Sequence, residues 1–279
     1  MNTHYLLPID RIIDAALEED LGPGDITTTA IIDASLVGEA RLLAKEEIVL
    51  AGIEVFARVF TRLDPSVVVA CDYNDGDLIA HGTFFATIRG PMRPILYGER
   101  TALNFLQHLS GVATLTRAYI NKAGTARVRV IDTRKTTPGL RILEKYAVRM
   151  GGGFNHRFGL FDGVLIKENH IAAAGSIANA VERVRAFAPH TIKIQVEVED
   201  LIQLKEAIAA QADAILLDNM TPELMRQAAA IAQGRIPLEA SGGINLETIE
   251  EIAQTGVDLV SVGRMTHSAR SVDISLRVK

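Results

Sequence analysis

The sequence predicts an α/β protein in which an N-terminal α+β domain precedes an incomplete parallel β/α barrel. From about residue 126, short apolar strands alternate with helices of about 10 to 16 residues, the pattern of parallel βα units. Six such strands occupy this part of the chain, whereas a complete barrel has about eight strands in roughly 250 residues. The first half instead has strand-like runs between amphipathic helices. An open or incomplete barrel therefore fits better than a closed one, and a doubly wound sheet is the alternative.

The first domain is predicted to open with a helix. Apolar residues recur at helical spacing from Ile9 to Leu21, and Gly22-Pro23-Gly24 ends the pattern. A second helix is predicted for IEVFARVFTRL and a third, longer one from Pro94 to Leu109. The strand-like runs are GEARLLAKEEIVLAG, SVVVACDYN and DLIAHGTFFATIRG. The turn-forming residues 74–77 separate the last two runs and predict a hairpin there.

The second domain shows clear helix boundaries between its strands. Thr137-Pro138 is expected to open a helix that Gly151 ends, Thr221-Pro222-Glu223 to open another, and Asn245 to cap a third that stops before Gly256. The predicted strands, in order, are RVRVID, DGVLIK, TIKIQVEVE, ADAILLD, PLEASGG and DLVSVG. The expected domains are therefore 1–112 and 113–267, with a C-terminal tail of about 268–279 packing on the first domain.

Composition excludes several classes of protein. A net charge of −5 argues against a nucleic-acid-binding surface. Apolar runs are too short to span a membrane, and the acidic first twenty residues do not resemble a signal peptide. The single cysteine, Cys71, cannot form an internal disulfide and is expected to be a small core residue. We therefore expect a soluble, cytoplasmic protein without nucleic-acid or membrane partners.

Every predicted barrel strand ends in polar residues or glycine, at the edge where parallel β/α folds bind ligands. The segments at these ends are 132–135, 167–170, 197–199, 218–219, 241–243 and 263–264. Solubility could explain one polar strand end, but it explains six in succession poorly. The active site is therefore expected at the C-terminal ends of these strands.

The last two strand ends are typical of a phosphate site. Gly242-Gly243 precedes a helix beginning near Asn245, so backbone N–H groups can approach an anion at a helix N-terminus. Val262-Gly263 lies on the next strand, where barrels commonly hold a phosphate. A role in turning the chain would explain either glycine segment alone, but it is a weak explanation for glycines after two successive strands.

Cations gather at the preceding strand ends, although the protein is acidic overall. They are Arg134, Lys135, Arg157 and Lys167, with His156 among them. Such a cluster indicates a polyanionic ligand, since guanidinium groups bind carboxylate or phosphate oxygens in pairs. Two carboxylates stand among these cations, Glu197 and Asp218. They could bind Mg²⁺ through water, accept hydrogen bonds from ribose hydroxyls, or pair with the lysines.

Long motifs in this order resemble the quinolinate phosphoribosyltransferase family over nearly the whole chain. They are DTRKTTPGLRILEKYAV, GGGFNHRFGLFDGVLIKENH, EVE, LLDNM, EASGGI and SVGRMTHSA, with GDIT and ERTALNFLQHLSG upstream. The resemblance implies transfer of a phosphoribosyl group from phosphoribosyl pyrophosphate to quinolinate. The products would be nicotinate mononucleotide, pyrophosphate and carbon dioxide, in de novo NAD synthesis. It also implies Mg²⁺ and a dimer or higher homo-oligomer.

The resemblance also implies roles for individual residues, on the positions that match the family motifs. Arg134, His156 and Arg157 would bind the quinolinate carboxylates beside Thr133, and Lys135 and Lys167 would lie near the pyrophosphate and the reacting groups. Ser241, Gly242 and Gly243 with Ser261, Val262 and Gly263 would hold the ribose phosphate, and Glu197 and Asp218 would face Mg²⁺ and ribose hydroxyls. Lys135, Lys167, Glu197 and Asp218 form the predicted catalytic set. Arg100 would reach the site of a neighbouring subunit.

One position departs from the family pattern. The family usually has aspartate where this chain has Glu168, which keeps the charge and alters the geometry beside Lys167. Three other functions are alternatives: that of a paralogue found with molybdenum transport, an aldolase with a Schiff base on Lys167, and a non-catalytic protein that binds a phosphorylated metabolite. The intact TRK and NHR motifs favour quinolinate.

Overall fold

The computed structural model describes residues 6–124 and 127–279. Residues 1–5 of the predicted first domain, and residues 125–126 just before the first predicted barrel strand, lie outside the described residues. The described helices are α1 (Leu6–Leu21), α2 (Ile26–Ile31), α3 (Ile53–Leu63), α4 (Met92–Ala123), α5 (Arg141–Met150), α6 (Glu168–Ala174), α7 (Ile177–Phe187), α8 (Leu201–Ala209), α9 (Pro222–Ala232), α10 (Ile249–Ala253) and α11 (Arg264–His267). The described strands are β1 (Val37–Ala44), β2 (Ile48–Val49), β3 (Val68–Cys71), β4 (Leu78–Ile79), β5 (Phe84–Pro91), β6 (Arg129–Ile131), β7 (Val164–Ile166), β8 (Ile194–Val198), β9 (Ala214–Asp218), β10 (Leu238–Ser241), β11 (Leu259–Ser261) and β12 (Ile274–Val278).

These elements form two compact units. The first unit contains the chain up to Arg117 together with Thr136–Gly152 and Met265–Lys279, and the second contains Ala118–Lys135 and Gly153–Arg264. This grouping differs from domains 1–112 and 113–267 mainly at Thr136–Gly152, which carries α5 and belongs to the first unit.

The first unit is built on a four-stranded antiparallel sheet in the order β12-β1-β5-β3. β12 pairs along β1 with Leu276 opposite Leu42, so the C-terminal strand completes this sheet. Helix α3 matches the predicted segment and buries one face, including Phe56 and Phe60, whose rings meet edge to face at 5.1 Å. Burial of each such ring stabilises the fold by about 1.5–3 kcal/mol.

Two expectations for the first unit need correction. The turn at residues 74–77 forms, but β4 after it pairs with β2, and β3 pairs instead with β5. The two predicted runs therefore do pair antiparallel, as β3 with β5, but the connection between them is longer than a tight turn because it contains β4. The helix predicted for 94–109 is longer, since α4 continues to Ala123.

The second unit contains a six-stranded parallel sheet in the order β6-β11-β10-β9-β8-β7. All six predicted barrel strands are present. Neighbours follow the chain order from β7 to β11, and β6 then pairs beside β11. This circular order confirms an incomplete barrel and excludes the doubly wound sheet, whose strand order reverses at a switch point. Among the described residues the opening lies between β6 and β7, where Phe154 forms an isolated bridge to Ile131.

The helix boundaries are confirmed at some positions and wrong at others. Thr221 caps α9 by accepting a hydrogen bond from Leu224 N at 3.3 Å, and Gly151 ends α5. Thr137-Pro138 does not open α5, because Gly139 has a φ of +82° that no α-helix contains, and the helix begins at Arg141.

Asn245 likewise opens a turn rather than a helix. Its Oδ1 accepts hydrogen bonds from Glu247 N at 2.8 Å and Thr248 N at 3.1 Å. α10 starts only at Ile249. The capping interaction expected of Asn245 is therefore present, but it stabilises a turn that lies just before α10 in the chain.

None of the helices within 6–124 and 127–279 combines the length and apolar character needed to cross a bilayer.

Candidate active site

A cavity of about 330 Å³ lies in the second unit at the carboxyl ends of the barrel strands. Its lining residues are Thr133, Arg134, Lys135, His156, Arg157, Leu165, Lys167, Glu197, Leu216, Asp218, Glu239, Ser241 and Ser261. All four cations of the predicted strand-end cluster are among them, as are both predicted carboxylates. The prediction that these strand ends converge is therefore met by the geometry of the barrel.

Five of the predicted site residues do not line this cavity. Gly242, Gly243 and Gly263 lie in the loops directly after lining or buried strand residues. Val262 is 1 % exposed and donates from its backbone N to Ile131 O at 2.9 Å. Arg100 is exposed on α4 in the first unit.

Alternation along the strands produces a second, deeper set of polar residues that sequence reasoning missed. Successive strand residues face opposite sides, so Gln195 lies below Glu197 on β8 and Glu239 below Ser241 on β10. Glu239 is 3 % exposed. The signal was present as polar residues at every second position within otherwise apolar strands, QVEV and LEAS.

Two arginines place concentrated positive charge on the cavity wall. Arg157 donates from Nη1 to Gly163 O at 2.9 Å, which holds its guanidinium to the loop before β7. Burial lowers the pKa of Arg157, and the neighbouring charge of Arg134 lowers it further. Two like charges held this close favour an anion that neutralises both.

Buried Asp132, at the end of β6, fixes the segment that carries His156. Asp132 is 0 % exposed. Its Oδ2 accepts from Asn155 Nδ2 at 2.6 Å and its Oδ1 from His156 N at 2.9 Å. An ionised carboxylate that accepts two such bonds is well satisfied when buried. Asp132 therefore acts as a structural anchor behind the site.

His156 is held by hydrogen bonds at both ring nitrogens. Nε2 lies 3.1 Å from Gln195 Oε1 and 3.5 Å from Glu239 Oε2. Nδ1 accepts from the backbone N of Arg157 at 2.7 Å. Gln195 Nε2 in turn donates to Glu239 Oε2 at 2.7 Å. The imidazole of His156 thus connects the cavity wall to the deeper pair of Gln195 and Glu239.

Lys167 and Glu197 form an ion pair across neighbouring strand ends, with Nζ and Oε2 2.7 Å apart. The lysine side chain is about half exposed, and the glutamate is mostly buried. A Schiff-base lysine attacks with the free lone pair of its amine, whereas Nζ of Lys167 is engaged with Glu197. The geometry therefore speaks against the aldolase alternative. Glu168, the departure from the family pattern, is exposed at the start of α6.

The loop after β10 packs tightly against the loop after β9. Asn219 has a φ of +52° and donates from Nδ2 to Asp218 Oδ2 at 2.8 Å. A β-carbon at Gly242 would stand 2.6 Å from Asn219 Cγ, so only glycine fits at this position. Gly242 therefore keeps Asn219 in place beside Asp218.

Glu197 and Asp218 are the carboxylates best placed to hold a cation. They end adjacent parallel strands, which lie about 4.8 Å apart. Within 6–124 and 127–279 no group of three or more His, Cys, Asp or Glu side chains is arranged to hold a metal ion by itself. Mg²⁺ usually binds through one or two carboxylates together with substrate phosphates and water, which suits this pair.

Two family models, one for each domain of the same kind of protein, match the chain. The model described as quinolinate phosphoribosyl transferase, C-terminal domain, covers residues 112–277, and the corresponding N-terminal domain model covers 25–110.

Individual relatives agree with these matches. The chain is 45 % identical to a probable nicotinate-nucleotide pyrophosphorylase (carboxylating) of Bacillus subtilis, over 98 % of this chain and 94 % of the relative. It is 39 % identical to a quinolinate phosphoribosyltransferase (decarboxylating) of Nicotiana tabacum, over 99 % of this chain and 83 % of that one. Among solved structures, NadC from Streptococcus pyogenes is 47 % identical with a TM-score of 0.94, covering 98 % of both chains.

Proposed function

Because the chain belongs to the quinolinate phosphoribosyltransferase family, we propose that the barrel cavity is the site of phosphoribosyl transfer. The enzyme is a decarboxylating pentosyltransferase of NAD biosynthesis that acts on quinolinate and phosphoribosyl pyrophosphate. The observation that carries the assignment of the site is the convergence of four cations and two strand-end carboxylates on one cavity. Both substrates are polyanions, and this cavity concentrates positive charge in a protein of net charge −5.

Arg134 and Arg157 are proposed to bind the two carboxylates of quinolinate. Planar guanidinium groups bind carboxylates through paired N–H bonds, and their mutual repulsion is relieved by a dianion between them. Thr133 accepts a hydrogen bond from Lys135 N at 3.0 Å and so shapes the turn that presents Arg134. The pyridine ring would then face the deeper wall of the cavity.

The ribose phosphate is proposed to bind at the ends of β10 and β11, near Ser241, Gly242 and Gly243 and the segment 261–263. Gly242 and Gly243 have φ values of +100° and +62°, in the left-handed region that lets successive N–H groups turn toward one anion. Ser241 and Ser261 line the cavity beside them. Lys135 and Lys167 supply cations for the pyrophosphate.

Glu197 and Asp218 are proposed to hold Mg²⁺ together with the substrate and to accept hydrogen bonds from ribose hydroxyls. When bound, the ion would neutralise charge that grows on the departing pyrophosphate. The same two carboxylates would stabilise positive charge on the sugar, because both carry negative charge and line the cavity. Lys167 remains paired to Glu197 at 2.7 Å and adds a cation next to the leaving group.

The reaction proposed for this geometry needs little proton transfer. The pyridine nitrogen of quinolinate attacks the anomeric carbon with its lone pair while the bond to pyrophosphate breaks. The ring nitrogen becomes quaternary, and its positive charge stabilises the electron pair left on the adjacent ring carbon when the carboxylate leaves as carbon dioxide. A proton from solvent then adds to that carbon. Preorganised charge and positioning therefore supply most of the catalysis.

A homo-oligomer, at least a dimer, is proposed for the active enzyme. Arg100 is exposed on α4, and the family pattern sends this arginine into a neighbouring subunit's site. Sedimentation should give an assembly larger than the 30.2 kDa chain, and Arg100→Ala should lose activity while keeping the assembly. A fully active monomer would refute this proposal. We propose a cytoplasmic location on the basis of the single cysteine.

The test of the function is product release from a mixture of protein, Mg²⁺, phosphoribosyl pyrophosphate and quinolinate, with nicotinate as the comparison substrate. Equal amounts of pyrophosphate and carbon dioxide from quinolinate, and no turnover of nicotinate, are expected. Lack of turnover with either acid by folded, oligomeric protein would favour the molybdenum-associated paralogue or a non-catalytic binding protein.

A further inference from the structure

We propose that Glu239 is a positioning residue for this reaction. Through Gln195, it keeps the proton of His156 on Nε2, so that His156 orients Arg157 in the quinolinate site. This inference rests on the proposed function, because it assigns the consequence to quinolinate binding. It differs from the role that the family resemblance implied for His156.

The argument starts from the buried carboxylate. Glu239 is 3 % exposed at the deep end of the cavity. Its Oε2 accepts from Gln195 Nε2 at 2.7 Å, and its Oε1 has no hydrogen-bond partner among the described residues. Because Oε2 accepts this bond, the donor must be the amide nitrogen of Gln195. Gln195 must therefore turn its NH₂ group toward Glu239.

The orientation of Gln195 then decides the state of His156. With its NH₂ group committed to Glu239, Gln195 presents Oε1 to His156 Nε2 at 3.1 Å. A carbonyl oxygen accepts, so Nε2 must carry the proton. In the neutral ring Nδ1 is then an acceptor, and it lies 2.7 Å from the backbone N of Arg157, which donates to it. Each donor in this chain of contacts meets an acceptor.

The consequence concerns Arg157, which is held at two points. His156 Nδ1 fixes its backbone, and Gly163 O accepts from its Nη1 at 2.9 Å. Since Nε2 of His156 bonds to Gln195 and Nδ1 to the Arg157 backbone, the imidazole links Gln195 to the position of Arg157. If the proton moved to Nδ1, two donors would face each other at the Arg157 backbone, and the guanidinium would lose its fixed position.

The kinetic test uses Glu239→Gln, which keeps shape but allows the amide at 195 to adopt either orientation. The KM for quinolinate should rise about 5- to 30-fold, with kcat and the KM for phosphoribosyl pyrophosphate changed less than about 2-fold. The exchanged pair Gln195→Glu with Glu239→Gln should restore the KM, because the carboxylate at 195 accepts from both neighbours. Glu250→Gln, an exposed change of the same charge on α10, is the matched control.

A second measurement reads the tautomer without relying on activity. Long-range ¹H–¹⁵N spectra of histidine-labelled protein, with His156→Gln to assign the signal among seven histidines, should show the proton on Nε2. Glu239→Gln should introduce the Nδ1–H form, and the exchanged pair should remove it. A proton on Nδ1, or on both nitrogens, in the wild-type protein would overturn the proposal. So would an unchanged KM for quinolinate in Glu239→Gln. Absence of quinolinate turnover by the wild type would refute the proposed function alone, since the spectra still decide the tautomer.

Discussion

Replacement of Gly242 by alanine should both destabilise the protein and weaken its binding of phosphoribosyl pyrophosphate. The added Cβ would stand 2.6 Å from Asn219 Cγ and 3.0 Å from Asn219 N, too close for either group to stay in place. Asn219 is also the donor to Asp218 Oδ2 at 2.8 Å. The substitution therefore displaces a neighbour of a proposed substrate-binding carboxylate.

The expected loss of stability in Gly242→Ala is the sum of two free-energy costs. Gly242 has a φ of +100°, and an alanine held in the left-handed region costs about 1–2 kcal/mol. The clash with Asn219 adds about 1–3 kcal/mol, as for other residues forced into filled space. Gly234→Ala is the matched control, because Gly234 has a φ of +67° with no atom within 4 Å of the added Cβ. Gly234→Ala therefore has the cost of the left-handed backbone without the cost of a clash.

Calorimetry and steady-state kinetics would check this prediction. The Tm of Gly242→Ala should lie about 2–12 °C below that of Gly234→Ala, as 1 kcal/mol shifts Tm by about 2–4 °C for chains of this size. The KM for phosphoribosyl pyrophosphate should rise at least about 10-fold in Gly242→Ala and stay unchanged in Gly234→Ala. Equal Tm and equal KM in the two variants would show that the contact between Gly242 and Asn219 does not constrain the site.

Three further predictions follow from the charges of the structure. Arg134→Ala should raise the KM for quinolinate about 10- to 100-fold and that for phosphoribosyl pyrophosphate much less; equal losses in titrations with each substrate would contradict its role. Lys167→Met should lower kcat about 100-fold or more yet shift Tm by less than about 2 °C, because its half-exposed pair with Glu197 contributes about 0–1 kcal/mol; a large fall in Tm would make the lysine structural. The hydrogen bond from Arg270 lowers the pKa of Glu46 from 4.5 to about 2, so its stabilisation is complete above pH 4.5 and disappears as the pH falls toward 2. Urea unfolding of wild type and Glu46→Gln should therefore differ at pH 7 and converge near pH 2, and a difference independent of pH would refute this reasoning.

Local chemistry was enough to predict the elements whose ends are set by nearby residues. α3 forms at the predicted segment because its apolar stripe is buried as one face. α9 begins after Thr221 because a threonine followed by proline supplies both a cap and a fixed φ. The antiparallel pairing of the runs on either side of residues 74–77 was predicted correctly, as β3 with β5. The pairing of β4 with β2 was not predicted, since these strand partners are distant in sequence.

The sequence by itself determined the barrel strands, the charged strand ends and, through its long motifs, the family. Only the tertiary structure decided which of these residues share a cavity and which lie beneath it. Gln195 and Glu239 are 44 residues apart, and nothing local indicates that one amide and one carboxylate will meet. Their contact exists because parallel strands align the same face of β8 and β10 toward the barrel interior. The alternation of polar and apolar residues along a strand shows that the strand has two different faces. Only the curvature of the sheet into a barrel determines which of these faces lies inside.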